Sequence, residues 1–134
     1  MSDSSQEILI VDDEPALLKL MSVYVRRLAF SVTSANTMAK AWEHLKRNPG
    51  RFAVVVLDAG MADAGVDDLA LELLAFHPSL RVVVNSGYPV DMSVLQQAAP
   101  GRVEFLHKPF SPDMLVAALR RMLGPQKAAE EEEV

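Results

Sequence analysis

Five short apolar runs, each followed by a stretch in which apolar residues recur at helical spacing, constrain this chain more than any other feature. The runs cover Glu7 to Val11, a weaker Ser31 to Ser34, Phe52 to Leu57, Arg81 to Asn85 and Arg102 to Leu106. Runs such as Ile8-Leu9-Ile10-Val11 and Val54-Val55-Val56-Leu57 lack polar alternation, as expected of strands buried on both faces of a parallel sheet. Helical spacing links Leu17, Met21, Val25 and Leu28, then Met38, Ala41, Trp42 and Leu45, then Leu69, Leu73 and Phe76. A short helix is predicted over Val90 to Ala98, and Leu115, Ala118, Leu119 and Met122 mark the last. Asn48-Pro49-Gly50, His77-Pro78, Pro100-Gly101 and Gly124-Pro125 supply the stops, and Asp13 with Pro15 a helix start. Such alternation predicts an α/β domain, a parallel sheet between two helical layers joined by right-handed crossovers. Residues 7–124 form that domain; 125–134 have no apolar pattern and are expected to be a disordered acidic tail.

The chemistry-bearing residues stand at the ends of these runs. Asp12 and Asp13 follow the first, Asp58 the third, Ser86 the fourth and Lys108 the fifth. The carboxyl ends of parallel strands share one sheet edge, where open α/β sheets place their sites. Three acids, a hydroxyl and a lysine are thereby predicted to converge. Adjacent carboxylates repel unless a cation intervenes, and hard oxygen donors suit Mg2+ or Mn2+. A carboxylate can also attack phosphorus to form an acyl phosphate.

Each residue has a plainer alternative. One of Asp12 and Asp13 could simply cap a helix, and Asp58-Ala59-Gly60 is ordinary turn chemistry. Lys108 could be a solvated lysine, and Ser86-Gly87 a plain turn. Convergence at one edge favours the functional reading of the acids and the lysine. His44, His77 and His107 have no metal-ligand partners at useful spacing and are expected to be structural or solvated.

Net charge is −5, of which Glu130 to Glu133 supply four, leaving the folded body near −1. No basic face or arm is present, which argues against nucleic-acid binding. Without cysteine there is no disulfide framework and no thiolate metal site. The N-terminus lacks signal-peptide features and no apolar run is long enough to span a membrane, so a cytoplasmic location is the expectation. No further domain is expected after Leu123.

Four segments together resemble the receiver domain of two-component response regulators. They are Ile10-Val11-Asp12-Asp13-Glu14-Pro15, Leu57-Asp58-Ala59-Gly60-Met61, Asn85-Ser86-Gly87-Tyr88 and His107-Lys108-Pro109-Phe110. The resemblance implies a flavodoxin-like (βα)5 three-layer sandwich with five parallel strands in the order 2-1-3-4-5. It also implies that Asp58 is the phosphoacceptor, with Lys108 and Ser86 on phosphoryl oxygens and a cis Lys108–Pro109 bond aiming the lysine. Asp13, Asp58 and the Gly60 backbone carbonyl would bind Mg2+ directly, and Asp12 through a water. The family's switching aromatic falls on Phe105, for which ordinary core packing is an equal alternative. Gly60 and Tyr88, two residues beyond Asp58 and Ser86, would flank the approach of hydrolytic water.

One departure stands out. Ala62 replaces the proline usual after Met61, and the loop to Gly65 is one residue short. The resemblance implies a histidine kinase or histidine phosphotransfer protein as phosphodonor, a downstream protein partner, and a possible homodimer through the fourth-helix to fifth-helix face. Two competitors remain: a phosphorylation-independent interaction module, and a phosphohydrolase, disfavoured by Gly60 where such enzymes carry a second acid. A flavodoxin-type electron carrier is disfavoured by the lack of a hydroxyl- and glycine-rich phosphate loop.

Overall fold

The computed structural model describes residues 7–27, 30–63 and 65–124. Five strands, β1 (Glu7–Val11), β2 (Ser31–Ala35), β3 (Phe52–Asp58), β4 (Arg81–Ser86) and β5 (Val103–His107), form one parallel sheet. Its order is β2-β1-β3-β4-β5, as the resemblance implied. The helices are α1 (Pro15–Arg26), α2 (Met38–Arg47), α3 (Val66–Phe76), α4 (Ser93–Ala98) and α5 (Pro112–Leu123). The expected tail over 125–134 lies outside the described residues.

Strand geometry sends successive side chains to opposite faces, and the two halves of the core follow from it. Leu9, Val11, Val55, Leu57, Val82 and Val84 pack with Ala41, Leu45, Ala70, Leu73 and Leu95 on the α2–α3–α4 side. Ile8, Ile10, Val54, Val56, Val83 and Leu106 pack with Met21, Val25, Leu115 and Leu119 on the α1–α5 side. β2, the weakest run in the sequence, is a half-exposed edge strand paired on one side to β1. Polar residues there cost little because only part of the strand faces the core.

Two helix starts differ from expectation. Residue 13 does not cap α1: Glu14 holds the N-cap position in extended conformation and makes no side-chain cap bond. Asp12 instead accepts the Glu14 amide through Oδ1 at 2.9 Å, so the turn is held one residue earlier. The fourth helix, expected from Val90, begins at Ser93. Asp91 Oδ1 accepts the Ser93 amide at 3.0 Å, a turn that starts the helix there.

Candidate functional site

The sheet brings the predicted residues together at its carboxyl edge. Asp12 leaves β1 fully buried, tied to the sheet by its amide, which donates to the Ala35 carbonyl at 3.2 Å. Asp13 beside it is exposed. Asp58 closes β3 and turns the chain into a 3-10 turn, Ala59–Met61, accepting the Gly60 amide through Oδ1 at 3.2 Å. The turn reading of Asp58 is therefore correct as local geometry, and it leaves Oδ2 without a hydrogen-bond partner among the described residues. Oxygens of Asp12, Asp13 and Asp58 lie within 4.8 Å of one another, the one group among the described residues able to hold a metal ion.

Lys108 reaches into this cluster. Its Nζ stands 3.4 Å from Asp58 Oδ1 and 3.5 Å from Asp12 Oδ2, so the ammonium bridges the two carboxylates. The Lys108–Pro109 bond is cis, and the Lys108 amide donates to the Ser86 carbonyl at 2.8 Å. Ser86 is buried, and its Oγ accepts the Tyr88 amide at 3.0 Å, which leaves the hydroxyl proton free to donate.

The electrostatics follow from burial and crowding. Burial, reinforced by the Asp58 charge, holds the Asp12 pKa above its ordinary 3.8; the Glu14 amide and Lys108 only partly offset this. For Lys108, burial acts to lower the pKa, but the charges of Asp12 and Asp58 outweigh it and hold it above 10.5. Three carboxylates facing one ammonium leave a surplus of negative charge. Oxygen donors alone, one buried and one open to solvent, suit a small hard dication that keeps part of its water.

The Ala62 departure has a local account. Its amide donates to the Ala59 carbonyl at 3.1 Å and closes the 3-10 turn, a bond proline cannot make. Gly65 precedes α3 at φ 116°, a conformation that favours glycine. Phe105 is half-buried against the α2–α3–α4 side of the core, its ring edge-on to His107 at 6.1 Å between centroids.

Sequence reasoning missed two features. Lys108 is a bridge between carboxylates, which depends on side-chain reach. Asn85 is buried with no exposure, its Nδ2 donating to the Leu57 carbonyl at 3.2 Å. The one available signal was an amide at the end of an all-valine run.

A profile of the family described as "Response regulator receiver domain" matches residues 8–120. Over 126 residues the chain is 31% identical to the response regulator protein PilR of Pseudomonas aeruginosa, spanning 92% of this chain and 28% of that protein. It is 32% identical over 122 residues to the alginate biosynthesis transcriptional regulatory protein AlgB of Pseudomonas putida, spanning 90% of this chain and 27% of that protein. The chain thus spans under a third of these relatives' length. Among solved structures, a CheY-like response regulator receiver domain protein from Methanospirillum hungatei superposes with TM-score 0.77 at 21% identity, covering 93% of this chain and 98% of that one. The BeF3-activated DrrB receiver domain superposes with TM-score 0.72 at 26% identity, covering 90% of this chain and 99% of that one. Motif order, sheet order, edge geometry and sequence match agree: this chain belongs to the receiver-domain family of two-component response regulators.

Proposed function

We propose that the chain is a phosphoacceptor switch that takes a phosphoryl group from phosphohistidine onto Asp58. The observation that carries this is the convergence of Asp12, Asp13, Asp58, Lys108 and Ser86 at one sheet edge, with one Asp58 oxygen unbonded. A carboxylate oxygen of Asp58 forms the new bond to phosphorus as the bond from phosphorus to the donor imidazole nitrogen breaks. Phosphoryl transfer asks for positioning and charge stabilisation rather than activation of the nucleophile. Lys108 Nζ supplies a point charge to one phosphoryl oxygen and Ser86 Oγ donates a hydrogen bond to another. Hydrolysis ends the signal: water attacks phosphorus, the acyl oxygen leaves, and Asp58 is regenerated with release of phosphate.

Asp13, Asp58 and the Gly60 carbonyl would hold Mg2+ (or Mn2+), with Asp12 acting through a bound water. When bound, the ion neutralises the surplus carboxylate charge and the charge on the phosphoryl oxygens. The donor is a histidine kinase or histidine phosphotransfer protein, and the output is contact with a downstream protein. A groove of about 460 Å3 lined by Leu17, Pro109 and Phe110 lies beside Lys108 and offers the donor an apolar foothold.

The switch couples Ser86 to Phe105. Alternation along β4 and β5 puts both on the α2–α3–α4 side of the sheet. Movement of Ser86 toward the phosphoryl group would free space for the Phe105 ring, biasing a two-state face. Calorimetric titration with Mg2+, then fluoroberyllate, tests the site. Binding of fluoroberyllate only with Mg2+, with a changed Phe105 ring environment by NMR, is expected. Mg2+-independent binding, or none, contradicts the proposed site, and an unchanged Phe105 ring contradicts the switch.

A further inference from the structure

Asn85 is the one amide in a strand that otherwise reads Arg81-Val82-Val83-Val84 before the site. It has no solvent exposure. Its Nδ2 donates to the Leu57 carbonyl, whereas its Oδ1 has no hydrogen-bond partner among the described residues. The Leu57 carbonyl fixes the orientation of the amide, since the flipped form would set two oxygens against each other. A buried acceptor left unpaired is costly, and valine already fills three neighbouring positions in β4. Packing therefore gives no reason for asparagine here.

Position gives one. Asn85 pairs in register with Asp58 across β3 and β4, and alternation places both side chains on the α1–α5 side. The Leu57 carbonyl it grips belongs to the peptide that carries the Asp58 amide. On its other flank, Asn85 directly precedes Ser86, whose own carbonyl accepts the Lys108 amide. Two bonds thus cross-tie the three strand ends that carry Asp58, Ser86 and Lys108: Asn85 Nδ2 to Leu57, and Lys108 N to Ser86.

We propose that Asn85 is a positioning residue for phosphoryl transfer, fixing the Leu57–Asp58 peptide relative to Ser86 so that acceptor carboxylate and donor hydroxyl hold one geometry. This rests on Asp58 being the phosphoacceptor. Asn85 is not among the clustered carboxylates; it acts through the Leu57–Asp58 peptide that its Nδ2 holds. Reaction rates fall steeply when a reacting group is displaced by a fraction of an ångström to an ångström, so the effect belongs in the transfer rate and not in stability.

The test is Asn85→Val against the parent chain, labelled by acetyl phosphate with Mg2+ and followed by intact mass. Mg2+ affinity is read by calorimetry and Tm by thermal melting. The expected result is labelling slowed by about tenfold, unchanged Mg2+ affinity, and a Tm at or above the parent's, because an unpaired buried acceptor has gone. Asn85→Leu, which keeps asparagine's branching at Cγ, carries the same expectation and is read instead if the valine variant does not fold. A variant that folds, binds Mg2+ and labels at the parent rate overturns the positioning role. So does a labelling loss accompanied by an equal loss of Mg2+ affinity or a collapse in Tm, which a purely structural role would give. A parent chain that is not labelled overturns the phosphoacceptor reading, and this proposal with it.

Discussion

Asp12 shows how a site residue can oppose the fold that carries it. Its carboxylate is fully buried, and its pKa is raised by burial first and by Asp58 second. Between the ordinary 3.8 and that raised value the folded chain binds more protons than the unfolded one. Asp12's contribution to the stability of the metal-free protein is therefore fully present below 3.8 and is lost as pH rises through its raised pKa. Asp12→Asn is expected to flatten that slope and stabilise the metal-free protein at neutral pH by roughly 1 kcal/mol, a few degrees in Tm. The same variant should weaken Mg2+ binding. Thermal melts across pH in EDTA check the first point, and a variant less stable than the parent at neutral pH would refute it. Gly60 makes a second case. A Cβ there would sit 3.5 Å from Asp58 Oδ2, in ordinary contact, so a side chain at this position would line the proposed approach of hydrolytic water. Gly60→Asn is expected to lengthen the phosphoryl lifetime by roughly two- to tenfold, about 1 kcal/mol in barrier. Decay of the phosphorylated mass after removal of donor measures it; a lifetime equal to the parent's would leave Gly60 without that role.

Elements were legible in the sequence where one signal dominated. β1, β3 and β4 are uninterrupted apolar runs, and each begins at its expected residue. α4 was harder because the Asp91 turn competes with helical spacing over Val90 to Ala98. The Lys108 bridge was not legible, since it depends on side-chain reach between residues far apart in sequence. The Asp12 turn is local, but which of two adjacent aspartates accepts the Glu14 amide is set by side-chain orientation. Arg102 belongs with them. Its guanidinium donates to the carbonyls of Leu74, His77 and Leu80, tying the end of α3 and the approach to β4 to the start of β5. Arg102→Ala removes all three bonds and is expected to destabilise the chain by about 2 kcal/mol. The clamp lies at the sheet edge opposite the site, so labelling of the folded variant should match the parent. Urea denaturation with labelling in buffer separates the two effects. A stable variant that labels slowly would mean the clamp communicates with the site.

At the scale of the whole molecule, one parallel sheet explains why four short motifs spread from Ile10 to Phe110 act together. Parallel strands present their carboxyl ends on one edge, so order along the chain becomes proximity in space. The fold and its site were legible for that reason: the topology turns strand-end residues into neighbours. No described helix is long and apolar enough to cross a membrane. With Asp58 as the one proposed phosphoacceptor, the chain is expected to take one phosphoryl group per molecule without sustained turnover. The most direct test is intact mass after incubation with acetyl phosphate and Mg2+, beside Asp58→Ala and an EDTA control. The account predicts a gain of a single phosphoryl group in the parent and none in either control. No gain where another receiver domain is labelled, or an equal gain in Asp58→Ala, would contradict it.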